Sequence, residues 1–292
     1  GYFFYDLTSK VNYRLSDKDR LFISGYFGRD VFSYKNNKRD FSVDVPWGNA
    51  TASARWNHLF NDKLFVNTSV VFSDYKFAFE SAQNQFEFRL SSGITDWNTK
   101  IDFSYMPNYQ HNIKFGGQLI YHTFVPSSVS GSAGDIVFEP ETIFKQYSNE
   151  GALYVSDDIE LSNDLSVHAG LRYSCFQYGD DVNINSFLRK EYTRDTTDMH
   201  RYLEPRLSMR YALNKSTSVK ASYTENYQYI HLASLSSVSL PTDLWIPSSK
   251  QVKPQYGKQL AVGVFKNFGD NTWESSIEVY TKQMDNLIEY KE

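Results

Sequence analysis

Leu165-Ser166-Val167-His168-Ala169-Gly170-Leu171-Arg172-Tyr173 alternates without a break. Leu165, Val167, Ala169, Leu171 and Tyr173 fall on one side, and Ser166, His168, Gly170 and Arg172 on the other. Successive side chains of a strand point to opposite faces, so this period of two describes a strand with one apolar and one polar face. Leu203 to Leu213 repeats the pattern. Leu203, Pro205, Leu207, Met209, Tyr211 and Leu213 share one face, against Glu204, Arg206, Ser208, Arg210 and Ala212. Outward from these two stretches the same apolar series recurs. It is seen in Phe3, Tyr5, Leu7, Val11 and Tyr13, in Leu64, Val66, Thr68, Val70 and Phe72, in Thr217, Val219, Ala221 and Tyr223, and in Trp273, Ile277 and Val279. No segment has the helical period. The chain reads as all-β.

The connections sort by length. Tight turns are expected near Ser16-Asp17-Lys18-Asp19, Asn61-Asp62, Pro107-Asn108-Tyr109-Gln110, Ser162-Asn163-Asp164, Asn214-Lys215 and Gly269-Asp270-Asn271, each with residues that favour turn geometry. Longer polar connections are expected near 35–48, 80–84, 125–147, 179–200 and 227–255. This order predicts about twelve strands of roughly 12–15 residues, antiparallel and up-and-down. It requires 85–106 to be one very long strand. A bulge at Gly93 or a hairpin at Thr95-Asp96 are the alternatives.

Composition gives the pattern a physical setting. The 292 residues include 22 Tyr, 22 Phe and 5 Trp, yet mean hydropathy is -0.51. A strand with one face in lipid and one in a wet lumen needs apolar residues only at every second position, so its average stays polar. Rings gather at the two lipid borders, and Tyr13, Trp56, Phe60, Met106, Tyr109 and Tyr211 sit beside the short turns where a girdle belongs. Asp6, Lys10, Asn12 and Arg14, Glu204, Arg206 and Arg210, and Glu274, Glu278 and Lys282 would line the lumen. In a dry core, unpaired charges of this kind cost several kcal/mol each. A large soluble β-protein, such as a propeller or stacked sandwiches, is the competing reading.

Several classes are excluded. No apolar run reaches the roughly 18 residues of a membrane helix. One cysteine, Cys175, cannot form an internal disulfide, and on the face of Leu171 and Tyr173 it reads as a small apolar residue. A net charge of -4 offers nothing to nucleic acid. His58, His111, His122, His168, His200 and His231 show no metal-ligand spacing, and no nucleophile or phosphate-binding motif occurs, so neither enzyme, cofactor nor metal is expected. Asp157-Asp158 with Glu160, and Asp180-Asp181, read as solvated rim or as a calcium site on an external loop. Gly1 leads at once into Tyr2-Phe3-Phe4-Tyr5, and Asn286-Leu287-Ile288-Glu289-Tyr290 is still patterned where the sequence stops, as expected for residues 1–292 being a section of one longer barrel domain.

Five stretches carry a resemblance. They are Tyr202-Leu203-Glu204-Pro205-Arg206-Leu207-Ser208-Met209-Arg210-Tyr211, Ser222-Tyr223-Thr224-Glu225-Asn226-Tyr227-Gln228, Leu240-Pro241-Thr242-Asp243-Leu244-Trp245-Ile246-Pro247, Lys253-Pro254-Gln255-Tyr256-Gly257-Lys258-Gln259, and Trp273 to Asn286. In order they resemble strands and a loop of TonB-dependent outer-membrane receptors of the Bacteroidetes type. Pro107 to Gly117 looks like another turn and strand of that family. The resemblance implies a 22-stranded barrel with an N-terminal plug in the outer membrane of a Gram-negative bacterium. It implies import of an iron chelate (a siderophore complex), cobalamin or glycan, powered through TonB. No plug or TonB-contact segment is visible, so TonB would be met through a plug outside these residues. The implied partners are outer-membrane lipid and a small-molecule or oligosaccharide ligand. A passive porin-like or structural outer-membrane barrel is the alternative, and a secreted soluble glycan-binding β-protein a further one.

Ligand contact is the one site class the residues suggest, because loops carry function on a rigid scaffold. Tyr227, Tyr229, His231 and Trp245 in the 227–255 connection, and Trp47 in the 35–48 connection, offer flat faces for stacking on sugars or aromatic chelators. Packing of these rings against the barrel rim is the competing reading.

Overall fold

The computed structural model describes residues 1–138, 145–179, 198–233 and 244–288. These form β1 (Tyr2–Arg14), β2 (Asp19–Asn36), β3 (Phe41–Asn61), β4 (Leu64–Gln83), β5 (Phe86–Asn108), β6 (His111–Ala133), β7 (Ile136–Phe138), β8 (Gln146–Glu160), β9 (Leu165–Tyr178), β10 (Asp198–Asn214), β11 (Thr217–Gln228), β12 (Ile230–Ala233), β13 (Leu244–Pro247), β14 (Gln255–Phe268) and β15 (Trp273–Asp285). One 13-stranded antiparallel sheet runs β1-β2-β3-β4-β5-β6-β8-β9-β10-β11-β14-β15, with β7 added on β6. It is a meander of twelve long strands, as the turn pattern predicts. Among the described residues β1 and β15 do not pair, so the sheet is an open section of wall.

All six expected short turns are found on one side, and three of them adjoin register shifts, at Leu59/Asn61, Tyr105/Asn108 and Ala212/Asn214. The other side corrects the expectation. Residues 41–48 are strand, and only 37–40 turn between β2 and β3. Asn84 and Gln85 alone join β4 to β5, with Asn84 at φ 54°, a left-handed conformation that asparagine tolerates. Residues 125–133 continue β6. The strands therefore reach 23 residues in β5 and β6, against the 12–15 expected. A crossing needs only about 9–11. Above the bilayer both faces of a strand meet water, so polar residues there satisfy a ladder as well as a loop does. The segment 85–106 is one strand, and it also bulges, with a register shift between Ser91 and Gly93.

The register puts the apolar series on one face. Leu203, Leu207, Met209, Tyr211, Leu153, Val155, Leu171 and Tyr173 point outward and stay exposed. Rings border this belt. Phe60, Phe103 and Phe115 stack toward the short-turn end, with Phe103 and Phe115 at 5.0 Å and 7°. Phe72 and Trp97 meet at 4.9 Å toward the other. Trp97 to Tyr105 on β5 is about nine residues, the length of one crossing.

The opposite face carries the polar set. Glycine serves a packing need there at Gly116, where a Cβ would lie 2.0 Å from the Ile101 carbonyl and 2.7 Å from the Tyr154 hydroxyl. The Tyr154 ring covers that bare backbone and its hydroxyl donates to Asp102. Asp157 and Asp158 lie within β8 on opposite faces. Asp157 holds His111 at 2.6 Å, while Asp158 holds His168 at 2.5 Å and Lys114 at 3.1 Å. Among the described residues no cluster is suited to a metal ion, and Asp180-Asp181 lies outside them.

Candidate functional site

The described parts of the connection from β11 to β14, residues 229–233 and 244–254, do not extend away from the sheet. The hairpin β12–β13, with His231 opposite Ile246 and Leu232 opposite Trp245, folds over the polar face. It touches five wall strands. β13 packs on β5 and β6, Trp245 meets Tyr75 of β4 edge-on at 6.5 Å, and Tyr229, just before β12, reaches β9 through Phe176 and Ser174 and β10 through the Tyr202 ring at 6.5 Å. Phe176 of β9 and Phe124 of β6, both fully buried, are apolar residues on this face, as are the buried Ile94 and Phe77.

Tyr229 is the anchor. It is 3% exposed and stacks on Phe176 at 5.1 Å and 6°. Its hydroxyl lies 2.6 Å from Ser174 Oγ, which donates to Glu204 Oε1 at 2.6 Å. Ser174 has one proton to give, so Tyr229 donates to Ser174 and Ser174 to Glu204. Glu204 also lies 3.9 Å from Arg172 and 3.7 Å from Arg206, and Arg172 lies 3.7 Å from Glu150. This spreads the buried charge over a network and avoids an isolated carboxylate. Burial, together with the nearby Glu204 carboxylate, keeps the Tyr229 phenol well above its usual range, so it remains a donor.

His231 is fully buried, with Nε2 3.0 Å from Ser248 Oγ. Burial holds its imidazole below the usual histidine range. The docked hairpin thus carries neutral His231, while an undocked, hydrated His231 takes a proton near pH 6.5, about the ordinary histidine value. Docking is fully stable above roughly pH 6.5 and weakens as pH falls below it, where the undocked form binds more protons. Hydrogen exchange across 230–233 and 244–247, corrected for intrinsic rates, should quicken between about pH 7.5 and 5.5 in the native chain and not in a His231→Gln variant. Equal responses in both would remove His231 as the cause.

The other candidates divide. Tyr227 sits in a ring column, 3.7 Å from Tyr202 and 4.9 Å from Tyr256. Trp47 is in β3 on the polar face, paired with Asp30 and Phe77 and stacked on Tyr2 at 6.0 Å. No ring contact joins it to the hairpin among the described residues. Tyr229, His231 and Trp245 are thus gathered at one hairpin, while Tyr227 in β11 and Trp47 in β3 belong to the wall. Several buried polar atoms in this region have no hydrogen-bond partner among the described residues: His231 Nδ1, Trp245 Nε1, His122 Nε2, His200 Nε2 and Ser148 Oγ. His122 and Ser148 are cross-strand partners, and His122 Nδ1 is held by Asp96 at 2.7 Å. The loop-centred reading missed these wall residues. Phe124 and Phe176 at polar-parity positions were the available signal.

Residues 1–292 match the family described as TonB-dependent receptor-like, β-barrel. The chain belongs to this family. It is a family of transport receptors and not of enzymes, and it places this wall in the Gram-negative outer membrane. Solved structures of similar fold include a copper transporter, OprC, with TM-score 0.71 and 11% identity over 97% of this chain and 45% of that one. The alcaligin outer-membrane receptor FauA from Bordetella pertussis gives 0.65 and 13% over 98% and 44%. BauA, the ferric preacinetobactin receptor of Acinetobacter baumannii, gives 0.64 and 14% over 96% and 46%. The chain spans about half the length of these structures. No curated protein sequence matches it. In a receptor barrel of this family the short turns are periplasmic and the longer connections extracellular, so the hairpin is an external loop turned into the lumen.

Proposed function

We propose that this receptor-barrel chain forms wall and external loops of a TonB-dependent importer of a scarce, large nutrient, with a metal chelate as the first candidate and a glycan as the second. The inward-folded hairpin carries the reading. It lies over a lumenal wall where several buried polar atoms lack partners among the described residues, an arrangement suited to a polar guest. When the hairpin lifts, His231, Trp245, His122 and Ser148 become available, while Tyr227 and Trp47 offer faces for stacking. Tyr229 keeps the unliganded hairpin in place. The edges of β1 and β15, unpaired among the described residues, support a larger closed barrel, because an open ladder leaves backbone groups unsatisfied in lipid. A plug outside residues 1–292 would connect the lumen to TonB, and the chain would be one section of a single 22-stranded barrel domain.

Uptake of radiolabelled ferric chelates by cells with and without the full-length receptor tests this. Receptor-dependent uptake that stops when the proton gradient is collapsed is expected. Uptake insensitive to the gradient would instead identify a passive barrel. Within an active receptor, Trp245→Ala should weaken binding of the cargo about tenfold, the scale of one lost stacking contact. Unchanged affinity would remove Trp245 from the site.

A further inference from the structure

The lipid-facing surface holds a second feature. On β2 the outward series is Leu21, Ile23, Gly25 and Phe27, followed by Arg29. On β4 it is Val66, Thr68, Val70 and Phe72, followed by Asp74 and Lys76. On β5 it is Phe103, Ile101, Thr99 and Trp97, followed by Thr95 and Gly93. Phe27, Phe72 and Trp97 mark the upper edge of the apolar belt, so the positions after them stand at the headgroups of the outer leaflet.

At this level a groove of about 610 Å³ opens across β2 to β6. A convex barrel wall does not make one by default. The floor is bare because Gly48, Ala50 and Gly93 present almost nothing. A Cβ at Gly48 would come 2.7 Å from the Gly28 carbonyl, and one at Gly93 2.7 Å from that of Tyr75. The rim is basic, with Arg29, Lys76, Arg89 and Lys145 against one lining carboxylate, Asp74. Asp74 is already engaged by Lys76 at 2.8 Å and Thr95 at 2.6 Å, and Arg89 by Glu80 at 3.4 Å. Arg29 and Lys145 are exposed and form no ion pair among the described residues.

We propose that this groove binds the phosphate-bearing headgroup of an outer-leaflet lipid. Arg29 offers the planar fork that matches phosphate oxygens, and Lys145 adds a point charge. Phe27 and the aromatic row directly below receive the acyl chains. That continuity with the lipid belt favours a lipid over a free anion.

Native mass spectrometry of the detergent-solubilised full-length receptor tests the site, with bisphosphorylated lipid A and its phosphate-free counterpart as probes. The phosphorylated lipid should bind saturably and the phosphate-free one at least about tenfold more weakly. Replacing both Arg29→Ser and Lys145→Ser should weaken the phosphorylated lipid about 10- to 30-fold, the scale of two cations at a membrane surface. Ala50→Phe, which fills the floor and keeps every charge, should weaken it as well. The two variants act separately through charge and space, so a folding defect in one leaves the other informative. Equal binding of the two lipids, full retention in both variants, or displacement of the lipid by inorganic phosphate would overturn the proposal.

Discussion

Arginine at position 207 is expected to lower the unfolding free energy of the full-length barrel by about 2–4 kcal/mol, while arginine at 208 costs far less. Leu207 lies on the outward face midway between Leu203 and Tyr211 and is 52% exposed to what is hydrocarbon in the membrane. A guanidinium there must shed water or drag it into the bilayer. Ser208, one residue on, pairs with His168 and Ser222 on the lumenal face, among Arg206, Arg210 and Lys220. The chemistry and the strand are the same, and only the parity differs. Reversible denaturation in lipid vesicles measures both values. Similar costs at 207 and 208 would mean that the two faces do not meet different solvents, and the membrane reading of the alternation would fail.

Truncating Tyr229 to alanine is expected to undock the hairpin. The loss combines the ring contact with Phe176 and the donor to Ser174, and large-to-small changes at buried aromatics cost about 3–5 kcal/mol. Exchange protection of 230–233 and 244–247 should fall more than about a hundredfold, while that of β9 and β10 persists. Tyr229→Phe keeps the stack and removes only the hydroxyl. Ser174 still donates to Glu204, so the cost should be about 0.5–1.5 kcal/mol. A hairpin that stays protected in the alanine variant would show that other contacts hold it, Trp245 on Tyr75 first among them. The pair of variants also separates packing from ligand contact, since the phenylalanine variant leaves a docked hairpin with one polar group fewer.

The candidate residues show how far sequence reading reaches. Tyr227, Tyr229, His231 and Trp245 read as rings in one polar connection; Tyr229, His231 and Trp245 meet at its hairpin, whereas Tyr227 belongs to wall strand β11. Their orientation was not legible. Tyr229 and His231 face inward and are buried, Tyr229 bonded to Ser174 on β9 and His231 through Nε2 to Ser248 beyond β13. Trp47 falls in the expected 35–48 connection, yet it lies in β3 with Asp30 of β2 on one side and Phe77 of β4 on the other. Local composition cannot tell an extended strand in water from a loop in water.

The sequence by itself determined the strand order and the two faces of each strand. Both are local consequences of a period of two under two solvents, lipid on one side and a wet lumen on the other. Tertiary structure decided how far the strands climb beyond the bilayer and where the hairpin lies. Ladder pairing above the lipid depends on neighbouring strands and not on side-chain polarity. The docking of Tyr229 joins it to Ser174, 55 positions away, and no local pattern encodes a contact at that separation.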